Sequence, residues 1–295
     1  AERTGVTSGS GGRFSAGVRY MAAAAFFFSL MSLFVKLAGR TLPTLEIVLA
    51  RGAVLTVVTG ALLRRRGLSP WGERRGLLLL RGLLGFAALT CFYWAVVHLP
   101  LADATVIQYT NPVWTALLAV PLLGETLRRR ETAGVAASLA GVVLIARPRF
   151  LFGAGPGALD PFHVGVALAG ALLSAAAYVT VRKLGETEDP LVIVFWFAWI
   201  NLAAAIPVSA PVLEWPTTEG WLLLLAVGLS TQTAQVAMTE GLKRERAGKA
   251  MAVGYLQIVF AAAWGLLFFG DVPDLWLAAG TALVVGGTWA AGRRS

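Results

Sequence analysis

Two apolar segments carry amides and hydroxyls at spacings of three and four residues, which places these groups on one face of a helix. The first stripe contains Thr105, Gln108, Asn111 and Thr115, and the second contains Thr231, Gln235 and Thr239. Amides and hydroxyls hydrogen-bond without a charge of their own. The stripes therefore either line a cavity that binds a polar ligand, which we favour, or join neighbouring helices by hydrogen bonds.

Other apolar segments supply further candidate ligand-binding residues. They are Gln257, Ser32, Tyr178, Tyr93 and Arg51. Arg51 could bind a carboxylate or phosphate through its planar fork of donors. Its alternative role is a structural arginine held by carbonyls or lipid headgroups. Glu46 lies five residues before Arg51, about 140° around a helix, so the two are poorly placed to pair directly.

Catalytic and metal-binding residue types are scarce. The chain has two histidines and a single cysteine, Cys91, which leaves little material for a zinc site or a cysteine–histidine nucleophile. It also lacks a phosphate-binding loop of the GxxxxGK[ST] kind. We therefore predict no enzyme activity, no metal and no cofactor, and any transport would draw on a gradient.

The elements that position these residues are transmembrane helices. The chain is 57% hydrophobic and 14% charged, whereas soluble domains are about 45–50% and 25%. Ten apolar blocks have about the 17 to 25 residues that cross a bilayer as a helix. They cover 17–38, 42–63, 76–97, 101–123, 131–147, 163–182, 190–212, 219–241, 249–269 and 274–291. We predict an all-α integral membrane protein in contact with the lipid bilayer.

Basic residues concentrate in alternate loops between these blocks. They lie at 64–75, 128–130, 243–246 and 293–294. The positive-inside rule places such loops, and here both termini, in the cytoplasm. This distribution accounts for the net charge of +9, so we expect no nucleic-acid partner. The small and polar residues 1–16 are typical of a disordered tail.

The chain contains an internal repeat with an offset of 146 residues. The shift superposes Gly124 and Glu125 on Gly270 and Asp271, Tyr109 on Tyr255, and Lys36 on Arg182. The predicted halves are 17–149 and 163–292, joined by the linker 150–162. Each half has five helices, an odd number, so the second half enters the bilayer in the opposite direction. Inverted-topology repeats are typical of secondary transporters, which bind substrate near the midplane between the repeats.

One long motif resembles a known family. "LPLADATVIQYTNPVWTALLAVPLLGETLRRRETAGVAASLAGVVLIARP", residues 99–148, is similar to the end of an EamA repeat of the drug/metabolite transporter superfamily. The shared features are a helix with a central proline, Pro112, then "GE", a basic loop and a glycine-containing helix. The second half departs from the pattern, with Ile258 in the proline register and Asp271 in place of the glutamate.

The resemblance implies a secondary active transporter in a bacterial inner membrane. It implies alternating access and export of a small polar or amphipathic metabolite, such as an amino acid. Two alternatives stay open, a flippase for lipid or lipid-linked substrates on the same scaffold and a membrane-embedded enzyme. A homodimer is an open option for its assembly.

The predicted topology can be tested by labelling single cysteines in a Cys91→Ser background. A cysteine at Thr217 should react with an impermeant maleimide from the outside only, and one at Arg65 from the cytoplasm only, because the basic loops face inward. Labelling of position 217 from the cytoplasm alone would contradict both the topology and the inverted repeat.

Overall fold

The computed structural model describes residues 15–99, 101–126, 128–146, 151, 159–209, 213, 215–270 and 275–292. These ranges contain no β-strand, as the all-α prediction requires. Their twelve helices are α1 (Ala16–Ala38), α2 (Thr44–Arg65), α3 (Arg75–His98), α4 (Leu101–Gln108), α5 (Asn111–Leu123), α6 (Arg129–Ala146), α7 (Pro161–Leu184), α8 (Pro190–Ser209), α9 (Thr218–Arg244), α10 (Ala247–Gly254), α11 (Leu256–Phe269) and α12 (Leu275–Gly292). Most of the predicted tail and linker, and Asp271, lie outside the described residues.

Eight helical segments in the described part of the chain are long and apolar enough to cross a membrane. One of them joins α4 to α5 and another joins α10 to α11. The two remaining predicted spans, α6 and α12, have 18 residues each. Helix α6 begins with Arg129, Arg130 and Glu131, which shortens its apolar part. The protein is a multi-pass membrane protein.

The helices of the two halves correspond at the predicted offset. Helices α7, α9, α10 and α11 each end 146 residues after their counterparts α1, α3, α4 and α5. The turn at Tyr109 between α4 and α5 recurs at Tyr255 between α10 and α11. A single offset therefore relates both helix bounds and helix breaks, so the chain has a two-repeat fold.

The helix break in the second half arises without a proline. Pro112 explains the break between α4 and α5, because a proline cannot donate to the preceding turn. The break between α10 and α11 was not predicted from the sequence, and it lies at Tyr255. Its hydroxyl donates to the carbonyl oxygen of Tyr109 at 2.8 Å, and the two tyrosine rings stack at 6.1 Å. The two breaks therefore support each other across the interface between the halves.

Helices α6 and α12 pack closely through glycines in reciprocal positions. A Cβ built on Gly134 would lie 2.6 Å from the carbonyl oxygen of Gly287, and one on Gly141 would lie 2.5 Å from that of Gly280. Gly280 and Gly287 are the repeat equivalents of Gly134 and Gly141. Each contact therefore occurs in both directions, as expected across a two-fold axis. In the same way α1 packs on α9, and its equivalent α7 packs on α3.

The largest apolar core lies where α1 and α9 meet α7, α8 and α10. Its fully buried members include Val181, Leu184, Leu242 and Ala250. On the outside, large apolar side chains such as Leu222 and Leu267 are exposed. Such side chains are favourable where the solvent is lipid, so the exterior agrees with membrane embedding.

The glycine packing predicts the effect of adding one methyl group. Gly141→Ala should lower the free energy of unfolding by about 1 to 3 kcal/mol, because its Cβ would overlap the facing backbone. Gly286→Ala is the matched control, because nothing lies within 4 Å of its Cβ position, and alanine there should be neutral or stabilising. Melting temperatures of the two purified variants test this, and equal melting temperatures would contradict the reciprocal packing.

Candidate functional site

A cavity of about 250 Å³ lies between the two halves. Helices of both halves line it, and its polar residues are Arg51, Arg81, Gln108, Tyr109, Asn111, Ser174, Tyr178, Gln235 and Gln257. Six of these are among the residues that the sequence analysis proposed as ligand-binding. The volume is close to the lower end of the range of about 300 to 1,000 Å³ for small-molecule pockets. The cavity therefore suits a small metabolite.

Two amide oxygens beside the break between α4 and α5 are buried acceptors without partners. Since Pro112 cannot donate, the carbonyl of Gln108 accepts instead from Nδ2 of Asn111 at 2.8 Å. This leaves Oδ1 of Asn111 buried without a hydrogen-bond partner. The Nε2 group of Gln108 donates to Oγ of Ser174 at 3.0 Å, and its Oε1 is likewise buried without a partner. Buried acceptors of this kind normally have partners, so the site is prepared for a ligand that donates hydrogen bonds.

Gln235 of the second stripe and Gln232 beside it have different surroundings. Gln235 lines the cavity, whereas Oε1 of its neighbour Gln232 accepts from Oγ1 of Thr59 at 2.9 Å, between α9 and α2. Thr231 and Thr239 donate to carbonyls one turn earlier in α9, at 2.6 and 2.8 Å. The hydrogen bond between helices is thus made by Gln232, which lies beside the stripe, and not by a member of the stripe.

Two proposed residues do not contribute to the described lining. The hydroxyl of Ser32 donates to the carbonyl of Phe28 within α1 at 3.0 Å, and Ser32 is not among the lining residues that the structure describes. A hydroxyl bound to its own helix backbone is already satisfied, which removes the reason to place it in a cavity. The side chain of Tyr93 lies outside the described residues.

Arg81 is a cavity residue that the sequence analysis missed. Its side chain is 3% exposed, and its guanidinium carbon lies 4.3 Å from the centroid of the Phe197 ring. Its Nε is buried without a hydrogen-bond partner. Gly85 makes room for it, because a Cβ there would lie 2.5 Å from Nη1 of Arg81. The available signal was a charge at the seventh position of a 24-residue helix whose other basic residues, Arg75 and His98, stand at its two ends.

Ion pairs join the two halves at one end of the bundle. Gly124 ends α5 with φ +66°, a backbone conformation that favours glycine. Glu125 follows it and accepts from Nε of Arg182 at 3.2 Å and from the backbone nitrogen of Ala247 at 2.9 Å. We call these contacts the Glu125 lock. A second pair between the halves joins Nη1 of Arg246 to Glu131 at 3.1 Å.

A smaller cavity of about 70 Å³ adjoins the large one. The two share Phe28, Tyr109, Asn111, Tyr178 and Gln257. The smaller cavity also has Met21, Met238 and Met251 in its lining. Met21 and Met251 lie near the starts of α1 and α10, and Met238 lies in the last two turns of α9, close to where Arg246 pairs with Glu131. Beyond the residues that the two cavities share, the lining of the smaller cavity is therefore mainly apolar.

A membrane-embedded bundle of two repeated halves, with a polar cavity between them, is typical of secondary transporters. The chain belongs to the EamA-like transporter family, whose model matches residues 15–147 and 162–292. Its family and its relatives are transporters, not enzymes. The resemblance found in residues 99–148 is confirmed, and it extends over both halves.

Individual relatives agree with this assignment. The pseudopaline exporter CntI of Pseudomonas aeruginosa is 33% identical over 270 residues, which cover 91% of this chain and 93% of the relative. Human solute carrier family 35 member G1 is 31% identical over 281 residues, covering 91% of this chain and 76% of its own. A crystal structure with a TM-score of 0.75 is 23% identical and covers 91% of this chain and 96% of its own; it shows the shared fold alone.

The Glu125 lock holds this end of the bundle closed, so breaking it should let water reach the smaller cavity. In a Cys91→Ser background, Met21→Cys places a thiol in that cavity. Adding Glu125→Ala should raise its labelling rate by an impermeant maleimide roughly tenfold, because a charge-assisted hydrogen bond is worth about 1.5 to 3 kcal/mol. Glu240→Ala is the matched control, since it removes a pair with Arg244 inside one helix. Equal labelling rates in the two variants would contradict a lock at Glu125.

Proposed function

We propose that the protein exports a small polar metabolite, an amino acid or a similar compound, by alternating access through the large cavity. The observation that carries this proposal is the pair of buried amide oxygens, on Gln108 and Asn111, that have no partner. Leaving such a group unsatisfied costs about 1 to 3 kcal/mol. Hydrogen-bond donors on a transported metabolite would offset that cost inside the cavity.

The proposed membrane topology has ten spans in two inverted five-helix repeats, 17–149 and 163–292. The reciprocal contacts of α6 with α12 support this arrangement, because two halves related by a two-fold axis in the membrane plane meet in such a way. Helices α6 and α12 are then the two spans beyond the eight apolar segments. Both termini would face the cytoplasm of a bacterial inner membrane, and the ion-paired end would be the cytoplasmic end.

Alternating access requires that one end of the cavity close while the other opens. In the proposed cycle, the Glu125 lock closes the cytoplasmic end after the substrate has entered from the cytoplasm. Its contacts run between helices of different halves, so they break when the halves rock apart. The direction of transport is taken from the exporter of Pseudomonas aeruginosa. A flippase would need a polar groove that faces lipid, whereas the polar residues here meet between the halves.

The cavity assignment predicts opposite effects for two neighbouring glutamines. Gln235→Leu should weaken substrate binding roughly 10- to 100-fold with little change in melting temperature, because it removes a hydrogen bond of about 1 to 3 kcal/mol to the substrate. Gln232→Leu should lower the melting temperature and leave affinity unchanged, because it removes the bond to Thr59. Asn111→Leu should resemble Gln235→Leu in affinity.

The measurement uses inside-out vesicles and a panel of labelled amino acids. Uptake identifies the transported compound, and its half-saturation is compared among the three variants alongside their melting temperatures. Unchanged half-saturation for Gln235→Leu and Asn111→Leu, together with lower melting temperatures, would show that these residues only hold helices together.

A further inference from the structure

We propose that the transported metabolite is an anion, and that Arg51 and Arg81 bind its carboxylate or phosphate group. This inference rests on the proposed transport function and adds the charge class of the substrate to it. Two observations support it. Two arginines line the large cavity, and its described lining contains no aspartate or glutamate.

The buried position of Arg81 is unfavourable unless an anion joins it. An arginine at the centre of a transmembrane helix is costly, and stable examples pair with other groups or face a water-filled cavity. Arg81 has no ion-pair partner among the described residues, and its Nε lacks even a hydrogen bond. The contact with the ring of Phe197 orients the guanidinium, yet an aromatic face neutralises no charge. The cavity is therefore where its counter-ion belongs.

The second arginine doubles the positive charge of the same cavity. Arg51 lines it together with Arg81, and no aspartate or glutamate is among the lining residues that the structure describes. Within the described residues, Arg51 has neither a hydrogen bond nor an ion pair. Two guanidinium groups without carboxylates leave the site with a charge of about +2, since arginine stays protonated in proteins. A cation would be repelled there, and an anion would be attracted.

The two arginines lie at different depths. Arg51 is seven residues from the start of α2, and Arg81 is six residues from the start of α3, about 10 Å and 9 Å along their axes. The short connection between α2 and α3 makes the two helices antiparallel, so these distances are measured from opposite ends of the bundle. Each end of the bundle is therefore nearer to one of the two arginines than to the other.

The remaining groups define which anions fit. A guanidinium fork binds carboxylate and phosphate oxygens in a bidentate manner. The amide oxygens of Gln108 and Asn111 accept from N–H or O–H groups of the same ligand. The substrate class is therefore a small metabolite with an oxyanion at one position and a hydrogen-bond donor at another.

The test compares acids with neutral compounds of the same shape, using purified protein in detergent. Glutaramate, the monoamide of glutaric acid, is paired with glutaramide, and glycerol 3-phosphate with glycerol, each at millimolar concentration. A ligand that binds only the folded state raises the melting temperature. We expect at least one acid to raise it while its neutral partner does not, and the two pairs distinguish a carboxylate from a phosphate ligand.

Variants assign the effect to the two arginines. Arg81→Met and Arg51→Met should lower the affinity for that acid at least tenfold, whereas Arg65→Met, in the exposed end of α2, should keep it. Without ligand, Arg81→Met should melt no earlier than the unchanged protein, because it removes an unpaired buried charge. A purely structural arginine would instead melt earlier when replaced, without a selective loss of acid binding.

Three results would overturn the anion proposal. They are equal responses to acids and their neutral partners, no response to any acid, and full acid binding in Arg81→Met and Arg51→Met. The transport proposal would survive if glutaramide raised the melting temperature and Gln235→Leu abolished that rise. Loss of the anion effect and loss of the polar cavity are thus separate outcomes.

Discussion

The hydrogen-bonding groups of the chain must find partners within the protein, because a bilayer core offers none. This constraint accounts for the all-helical fold, and it becomes most informative where the helices break. Pro112 removes a donor from the carbonyl of Gln108, and Asn111 replaces that donor. The carbonyl of Tyr109 receives the hydroxyl of Tyr255 from the other half. The break between α4 and α5 is thus satisfied by one local and one distant side chain, which ties the cavity to the contact between the halves.

Three of the six buried side-chain polar atoms without a partner in the described part of the chain lie around that same point. The free amide oxygens of Gln108 and Asn111 and the Nε of Arg81 all belong to residues that line one cavity. They lower the stability of the empty protein, and a ligand would restore it. Binding energy of this kind can favour one arrangement of two rocking halves over another.

The two halves are alike in architecture and different in chemistry. Helix bounds and glycine contacts follow the offset of 146 residues closely. The cavity does not, since Asn111 corresponds to Gln257, and Arg81 corresponds to Val227 in α9. In the proposed cycle, the shared architecture would let the halves close at either end in turn. The unequal lining would give a substrate one defined orientation, with both arginines on the first half and Gln235 and Gln257 on the second.

The sequence by itself determined the membrane class, the repeat and the break at Pro112, because hydropathy, a fixed offset and a missing N–H act along the chain. Only the tertiary structure decided which polar side chains share a cavity. Gln232 and Gln235 differ by three residues, yet one binds Thr59 and the other lines the cavity, because the neighbours of each helix face are set by packing. At the second break, the hydroxyl of Tyr255 donates to the carbonyl of Tyr109 in the other repeat. Arg81 occupies the space that Gly85 leaves free. The contacts of Gln232 with Thr59 and of Tyr255 with Tyr109 join residues far apart in the chain, and periodicity along one helix does not encode them.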